Sequence, residues 1–212
     1  MALWYNMFKE GTKMTIKKWR ALAAVMAILM LGASGCILNP EEDNEPPDPV
    51  VIDWPDLSEK EDCIETILLL YDNYNRLGDV SKAISDHYEK ILYDDPADLK
   101  DYVWYMSIVD VTKGDDPIMT RAKDISGTEG LLKYASLLDF NLQGAPTWER
   151  REDVCDNCWM TTRQYSFNCN ITVDGELKSY VSDLSNVAFI VGPHHDDPNK
   201  WAIYQASDLK EQ

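Results

Sequence analysis

The sequence predicts an α+β domain, helices packed on one face of a curved antiparallel sheet, and three observations point to it. Apolar residues recur at helical spacing early in the domain. From Thr161 to Val173 the odd positions are mostly apolar and the even ones polar. An Asp-Gly pair then turns the chain directly into a second long apolar strand. Helices first and a strand meander afterwards place the helices together on one side of the sheet.

Ser58 and Glu61 have the spacing of a capping box, in which each side chain satisfies a backbone N–H at a helix start. Ile64, Ile67, Leu68, Tyr71 and Tyr74 then follow one helical face, and Gly78 stops the helix. Asp79 caps a second helix carrying Val80, Ala83 and Ile84. Tyr88–Tyr93 reads as a short strand ahead of the breaker Asp94-Asp95-Pro96. Leu99–Val109 fits helix and strand equally, and Thr128–Leu138 reads as helix. From Thr161 to Val173, Tyr165, Phe167, Cys169, Ile171 and Val173 alternate with polar neighbours, so one face of the strand meets a core. The return strand, Leu177–Val191, loses its alternation at Asp183–Ser185, as a bulge would cause. Gly192–Asn199 is a polar loop, and Trp201, Ile203 and Tyr204 lie on the last strand.

The N-terminus belongs to a different part of the molecule. Met14–Arg20 is basic, and Ala21–Leu31 is apolar but too short for a permanent membrane span of about 20 residues. Gly32-Ala33-Ser34-Gly35 and Cys36 follow. Residues 1–35 therefore read as a secretory signal peptide, with Met14 a second candidate start. Ala33-Ser34-Gly35-Cys36 resembles the lipobox of bacterial lipoproteins. The resemblance implies that Cys36 carries diacylglycerol on its thiol and an acyl chain such as palmitate on its amino group. Several chains hold a protein on a membrane where one chain binds only marginally. In that family Ile37, rather than Asp, after the Cys implies the outer membrane, facing the periplasm or the surface, in a host with two membranes. Residues 36–57 are rich in Pro, Glu and Asp and form an acidic tether, extended by proline stiffness and charge repulsion to about 60 Å.

The chain carries 20 Lys and Arg against 37 Asp and Glu, and five of the bases but one of the acids precede Cys36. Residues 36–212 thus have a net charge of −21. A polyanion needs a basic footprint, so nucleic acid is excluded as a partner. The same acidity holds the domain away from anionic headgroups.

The first helix over Ile64–Asn75, the second over Asp79–Ser85, and an ending of Val187–Val191 followed by Lys200-Trp201-Ala202-Ile203 and Asp208 together resemble the NTF2-like superfamily. Lys200 stands where that family commonly has Gly, and the similarity extends over about Ser58 to Leu209. It implies one domain over residues 58–212, shaped as a cone of helices and sheet around a cavity that binds small molecules in several relatives. Tyr71, Tyr74, Tyr88, Trp104, Trp148, Tyr165 and Tyr204 are the expected lining. The plainer alternative is that these rings fill the core. Some enzymes of the superfamily place Asp and Tyr in the cavity to move protons beside a carbonyl. No motif assigns a catalytic residue here, and none calls for a cofactor.

Four cysteines remain beyond Cys36. In an oxidising compartment they read as disulfides, with Cys155–Cys158 and Cys63–Cys169 the preferred pairing. Zinc at Cys155-x-x-Cys158 lacks a second paired motif, and a redox motif would open a helix rather than precede a strand. His194-His195-Asp196-Asp197 has metal-binding residue types, but adjacent strand-end residues point apart, and a polar hairpin loop explains the segment. His87 reads as a local hydrogen-bonding residue. These readings predict an envelope module that binds a small molecule or a protein. The alternatives are a structural or assembly role in the envelope, and an isomerase or hydrolase that uses the cone. Wild-type protein should incorporate labelled palmitate and fractionate with membranes. Cys36→Ala should lose both properties, and retention in the membrane fraction would refute the lipid anchor.

Overall fold

The computed structural model describes residues 51–97, 100–106, 117–173 and 175–209. Cys36, the signal peptide and most of the tether lie outside the described residues, as does much of Leu99–Val109.

The chain enters the domain at Leu57, whose φ of 67° is the only positive value at a described non-glycine residue. That conformation costs roughly 1–2 kcal/mol. It is held because the Leu57 side chain is buried in the core and its carbonyl accepts the Trp201 N–H at 2.9 Å. Helix α1 spans Lys60–Asp72. Its capping box lies one residue later than the Ser58/Glu61 spacing predicts: Glu59 is the N-cap, and its N–H donates to Asp62 Oδ2 at 3.0 Å. Asp56 takes the Ser58 N–H instead. Asp79 caps α2 (Val80–Ala83) as expected, accepting the Lys82 N–H at 3.0 Å. The helical path then widens into a π-turn, Ile84–Tyr88, and closes as α3, Glu89–Ile91. Tyr88–Tyr93 is therefore mostly helical rather than a strand. Only its end pairs with the sheet, through a Leu92–Ile203 bridge and the Tyr93 N–H on Ile203 O.

Short strands β1 (Asp94–Asp95) and β2 (Lys100–Asp101) pair with each other. Next come β3 (Val103–Tyr105) and β4 (Ile118–Thr120), so the described part of Leu99–Val109 is strand. Helix α4 spans Arg121–Tyr134 and runs straight into β5, Ala135–Gln143. The helix thus starts seven residues before Thr128, and Ala135–Leu138 belong to the sheet. Strands β6 (Trp148–Arg150), β7 (Trp159–Val173), β8 (Glu176–Pro193) and β9 (Trp201–Leu209) complete the chain. The sheet order is β4-β3-β9-β8-β7-β5, with β6 also on β7. All pairs are antiparallel except β3 with β9, which makes the sheet mixed.

The alternation of β7 works as the sequence requires. Tyr165, Phe167, Cys169 and Ile171 are buried, joined by Leu138, Phe140 and Leu142 of β5 and Val187, Phe189 and Val191 of β8. On this face sit Ile64, Ile67, Leu70 and Tyr71 of α1. Each such side chain contributes about 1.5–3 kcal/mol when fully buried. The expected bulge is present. Tyr165 pairs with Ser185 but Phe167 with Ser182, so Asp183 and Leu184 together oppose Ser166 and β8 carries one extra residue. The bulge restores Val187, Phe189 and Val191 to the core face.

Cys155 and Cys158 form a disulfide just before β7. It rests against Gly192, where an added Cβ would lie 2.7 Å from Cys158 Sγ, 2.8 Å from Cys155 Sγ and 2.9 Å from the Tyr204 ring. The Cys63–Cys169 bridge is not made: both are buried free thiols. A bridge needs the two Cα atoms within about 7 Å and converging Cβ vectors, which facing a common core does not by itself provide. Gly192→Ala should therefore cost about 1–3 kcal/mol in chemical denaturation. The cost should fall in a Cys155→Ala/Cys158→Ala background, where the sulfurs that crowd the new methyl are gone.

Candidate functional site

The expected cavity lining divides into three places. Tyr71, Tyr88, Trp104 and Tyr165 are all buried in the core between helices and sheet. Tyr71 packs on Phe140 at 5.2 Å between ring centroids, and Phe140 on Tyr165 at 6.0 Å. The gap walled by Trp104, Phe140, Tyr165, Val187 and Phe189 holds about 180 Å³ in all, none of it wide enough for a water molecule. Tyr74 lies at the edge, its hydroxyl on Ser136 O at 3.3 Å. Trp148 is partly buried beside Trp159, with the Lys60 ammonium 5.4 and 5.6 Å from the two rings. Tyr204 is on the far side, stacked on Tyr93 at 3.7 Å next to the disulfide.

The interior also contains a polar cluster that sequence reasoning missed. Asp124, in the first turn of α4, is 2% exposed. Tyr88 donates its hydroxyl to Asp124 Oδ2 at 3.0 Å, and the Tyr102 hydroxyl donates to the same carboxylate. Burial pushes the Asp124 carboxyl up to about 6, and the two tyrosine hydrogen bonds oppose that shift only in part. Burial, and then the neighbouring Asp124 charge, holds both tyrosine hydroxyls well above their ordinary range. A second carboxylate, Asp208, accepts from Tyr165 Oη at 3.3 Å and from Trp104 Nε1 at 3.4 Å, and its charge adds a small push on Asp124. Two carboxylates, three tyrosines and a tryptophan thus share the interior. A carboxyl that titrates near 6 is chemically able to exchange a proton, yet nothing wider than a side chain reaches it through the described residues.

Other candidates are placed as follows. Burial raises both free thiols, Cys63 beyond any useful range and Cys169 to about 12, so neither is a nucleophile. No three His, Cys, Asp or Glu side chains among the described residues are grouped to hold a metal. His87 stacks on Trp54 at 4.0 Å rather than hydrogen-bonding locally, and burial lowers its affinity for a proton. His194 Nδ1 accepts the Asp196 N–H at 3.1 Å, the local turn that a polar loop requires.

Only weak signals pointed to Asp124. An acid in the first turn of a helix suits the helix dipole and needs no burial, and its partner Tyr88 is 36 residues away. Its pH behaviour follows from the raised value. The folded protein keeps the proton up to about pH 6 whereas the unfolded chain releases it near 3.8, so stability falls between those values and is constant above them. At 1.36 kcal/mol per unit the loss is about 3 kcal/mol. Asp124→Asn cannot ionise. Its stability relative to wild type should improve by up to about 3 kcal/mol between pH 4 and pH 7 in urea titrations. An unchanged difference would place Asp124 in a wetter setting.

No protein-family model and no curated protein matches the chain. Solved structures similar to it include an NTF2-like superfamily protein from Salmonella enterica serovar Typhimurium, at 11% identity and a TM-score of 0.44, covering 72% of this chain and 91% of that one. A ketosteroid isomerase-like protein from Erwinia carotovora atroseptica shares 8% identity with a TM-score of 0.41, over 73% of this chain and 97% of its own. A Kribbella flavida protein shares 10% at a TM-score of 0.45, over 71% and 88%. Likeness at this level carries nothing about activity. With α1 to α4 packed against a large, mostly antiparallel sheet that ends in the β7-β8-β9 meander, the domain is an α+β fold.

Proposed function

We propose that this protein is a lipid-anchored module of the cell envelope that binds a small molecule rather than transforming one, and that it binds outside the cone. The anchor rests on the Cys36 lipobox resemblance and the acidic tether after it. The observation that carries the binding site is the interior as the described residues build it. Among them, aromatic side chains fill the space between helices and sheet, and the gap they leave falls below the roughly 300 Å³ at which ligand pockets begin. Open space among the described residues lies on the helical layer. One groove of about 250 Å³ is bounded by Ile52, Trp54, Arg76, Asp79 and His87. A second of about 330 Å³ lies between α3 and the loop after β8.

One observation favours the enzymatic alternative: Asp124 with Tyr88 and Tyr102 is an acid–base group in a dry site. It would need the cone to open. The two readings separate in a metabolite screen followed by NMR of the indole N–H signals. Ligands that bind outside should move the Trp54 signal, or none, and leave Trp104 Nε1–H in place. A ligand that shifts Trp104 enters the cone and overturns the proposal.

A further inference from the structure

The cleft of about 330 Å³ has the build of a binding site. Its loop comes from Gly192-Pro193-His194-His195-Asp196-Asp197-Pro198 and is fixed from behind at several points. Gly192 lies against the disulfide and Tyr204. The Tyr204 hydroxyl donates to Pro193 O at 2.8 Å, while its ring stacks on Tyr93. The His194 N–H donates to Lys200 O at 2.7 Å, and the Lys200 N–H to Asp197 O at 2.9 Å.

That loop carries His195, and a buried carboxylate orients it. Asp95 is 8% exposed and accepts the Tyr93 hydroxyl at 3.3 Å and the Ala97 N–H at 3.0 Å. Its Oδ2 lies 3.4 Å from His195 Nδ1. A carboxylate at Nδ1 orients the ring. The other wall holds Arg121, anchored by donating to Leu92 O at 3.3 Å and Glu89 O at 3.0 Å. Glu89, Lys90, Asp94 and Asp196 complete the charged rim.

The charges around the cleft are more widely spaced than several ion pairs elsewhere, although Lys60–Glu61 is open as well at 3.6 Å. Lys82–Asp86, Lys133–Glu129 and Arg151–Asp153, all away from the cleft, are closed at 2.7 Å. Around the cleft Arg121 Nη1 stays 3.7 Å from Asp94, and His195 Nε2 stays 3.9 Å from Asp196. Opposite charges are held near one another without a tight hydrogen bond, so each keeps donor or acceptor capacity for a third party. Such a rim matches a ligand that carries both signs. A simple anion would meet Asp94 and Asp196, and a simple cation would meet Lys90 and Arg121.

We propose that this cleft binds a small zwitterion of the amino-acid type. Its carboxylate sits against Lys90 and Arg121, and its ammonium against Asp94 and Asp196. The inference rests on the reading of the domain as a binding module and names the ligand class and place. Asp95 and Arg121 are held in the fold, so the test uses the exposed rim. Calorimetry on the full chain in detergent would compare L-alanine with propionate and ethylamine, which each lack one of its charges. L-Alanine should bind with a dissociation constant below about 1 mM, and each single-charge analogue at least about tenfold more weakly. Lys90→Gln and Asp196→Asn should each weaken L-alanine by about fivefold or more without moving the melting temperature. Equal binding of the analogues, no binding of L-alanine, or indifference to both substitutions overturns the inference. Indifference with L-alanine still bound moves the ligand elsewhere and leaves the binding-module reading intact, and the Trp104 signal judges that reading separately.

Discussion

Tyr165, Phe167, Cys169 and Ile171 leave β7 on the same side, and the helical layer is held through that side. Because strand side chains alternate, a slip of one residue between β7 and β8 would send these four outward and bring Asn168 and Asn170 into the core. The ladder runs from Trp159–Val191 to Val173–Glu176, so the register is fixed at both ends. The one extra residue on β8 allows both halves of that strand to face inward correctly. Through β8, the same register decides where β9 lies, and β9 positions β3, Leu92 and the Leu57 carbonyl. Both the closed interior and the outer cleft are consequences of this ladder.

Much of that was legible because strand period is a local property. The alternation over Thr161–Val173, the turn and the bulge at Asp183–Ser185 can each be read from neighbours in the chain. The α4–β5 boundary was not, because Leu131 and Leu132 lead without a breaker into Leu137 and Leu138, and short apolar runs fit both periods. The cysteines show a further limit. Facing a core is readable from the pattern, but whether two core-facing residues meet with bridging geometry is not, and Cys63 and Cys169 stay free thiols. Asp124 shows the same limit for a polar group: its partners come from α4, the π-turn and Tyr102, which only the tertiary fold brings together.

The two polar clusters follow opposite electrostatic designs. Asp124 is stripped of water and given hydroxyl donors, which do not fully replace hydration, so it prefers to be neutral well above the ordinary carboxylate range. That arrangement consumes stability at neutral pH. Its return is directional hydrogen bonding that fixes α4 over Tyr88 and Tyr102. Around the outer cleft the charges remain hydrated and cost little, and order comes from the backbone and from Asp95 behind His195. The first is built to hold a shape, and the second to offer hydrogen bonds.

The junction at Leu57 connects this cleft to the tether. The strained Leu57 carbonyl is bound by Trp201, and the residue before Trp201, Lys200, supplies the carbonyl that holds His194. Upstream, Trp54 lies on His87 at the border of the neighbouring groove. The point where the acidic tether becomes domain is thus one residue away from the loop that carries His195. Strain of this kind persists only where surrounding contacts over-determine it, and here those contacts are the start of β9 and the core itself. A chain anchored at Cys36 would hold this end of the domain nearest its attachment. The charge of residues 36–212 would push the body of the domain away from an acidic surface. The two effects together would keep the cleft open to solvent at the end of a stretched tether, where a diffusible ligand can reach it.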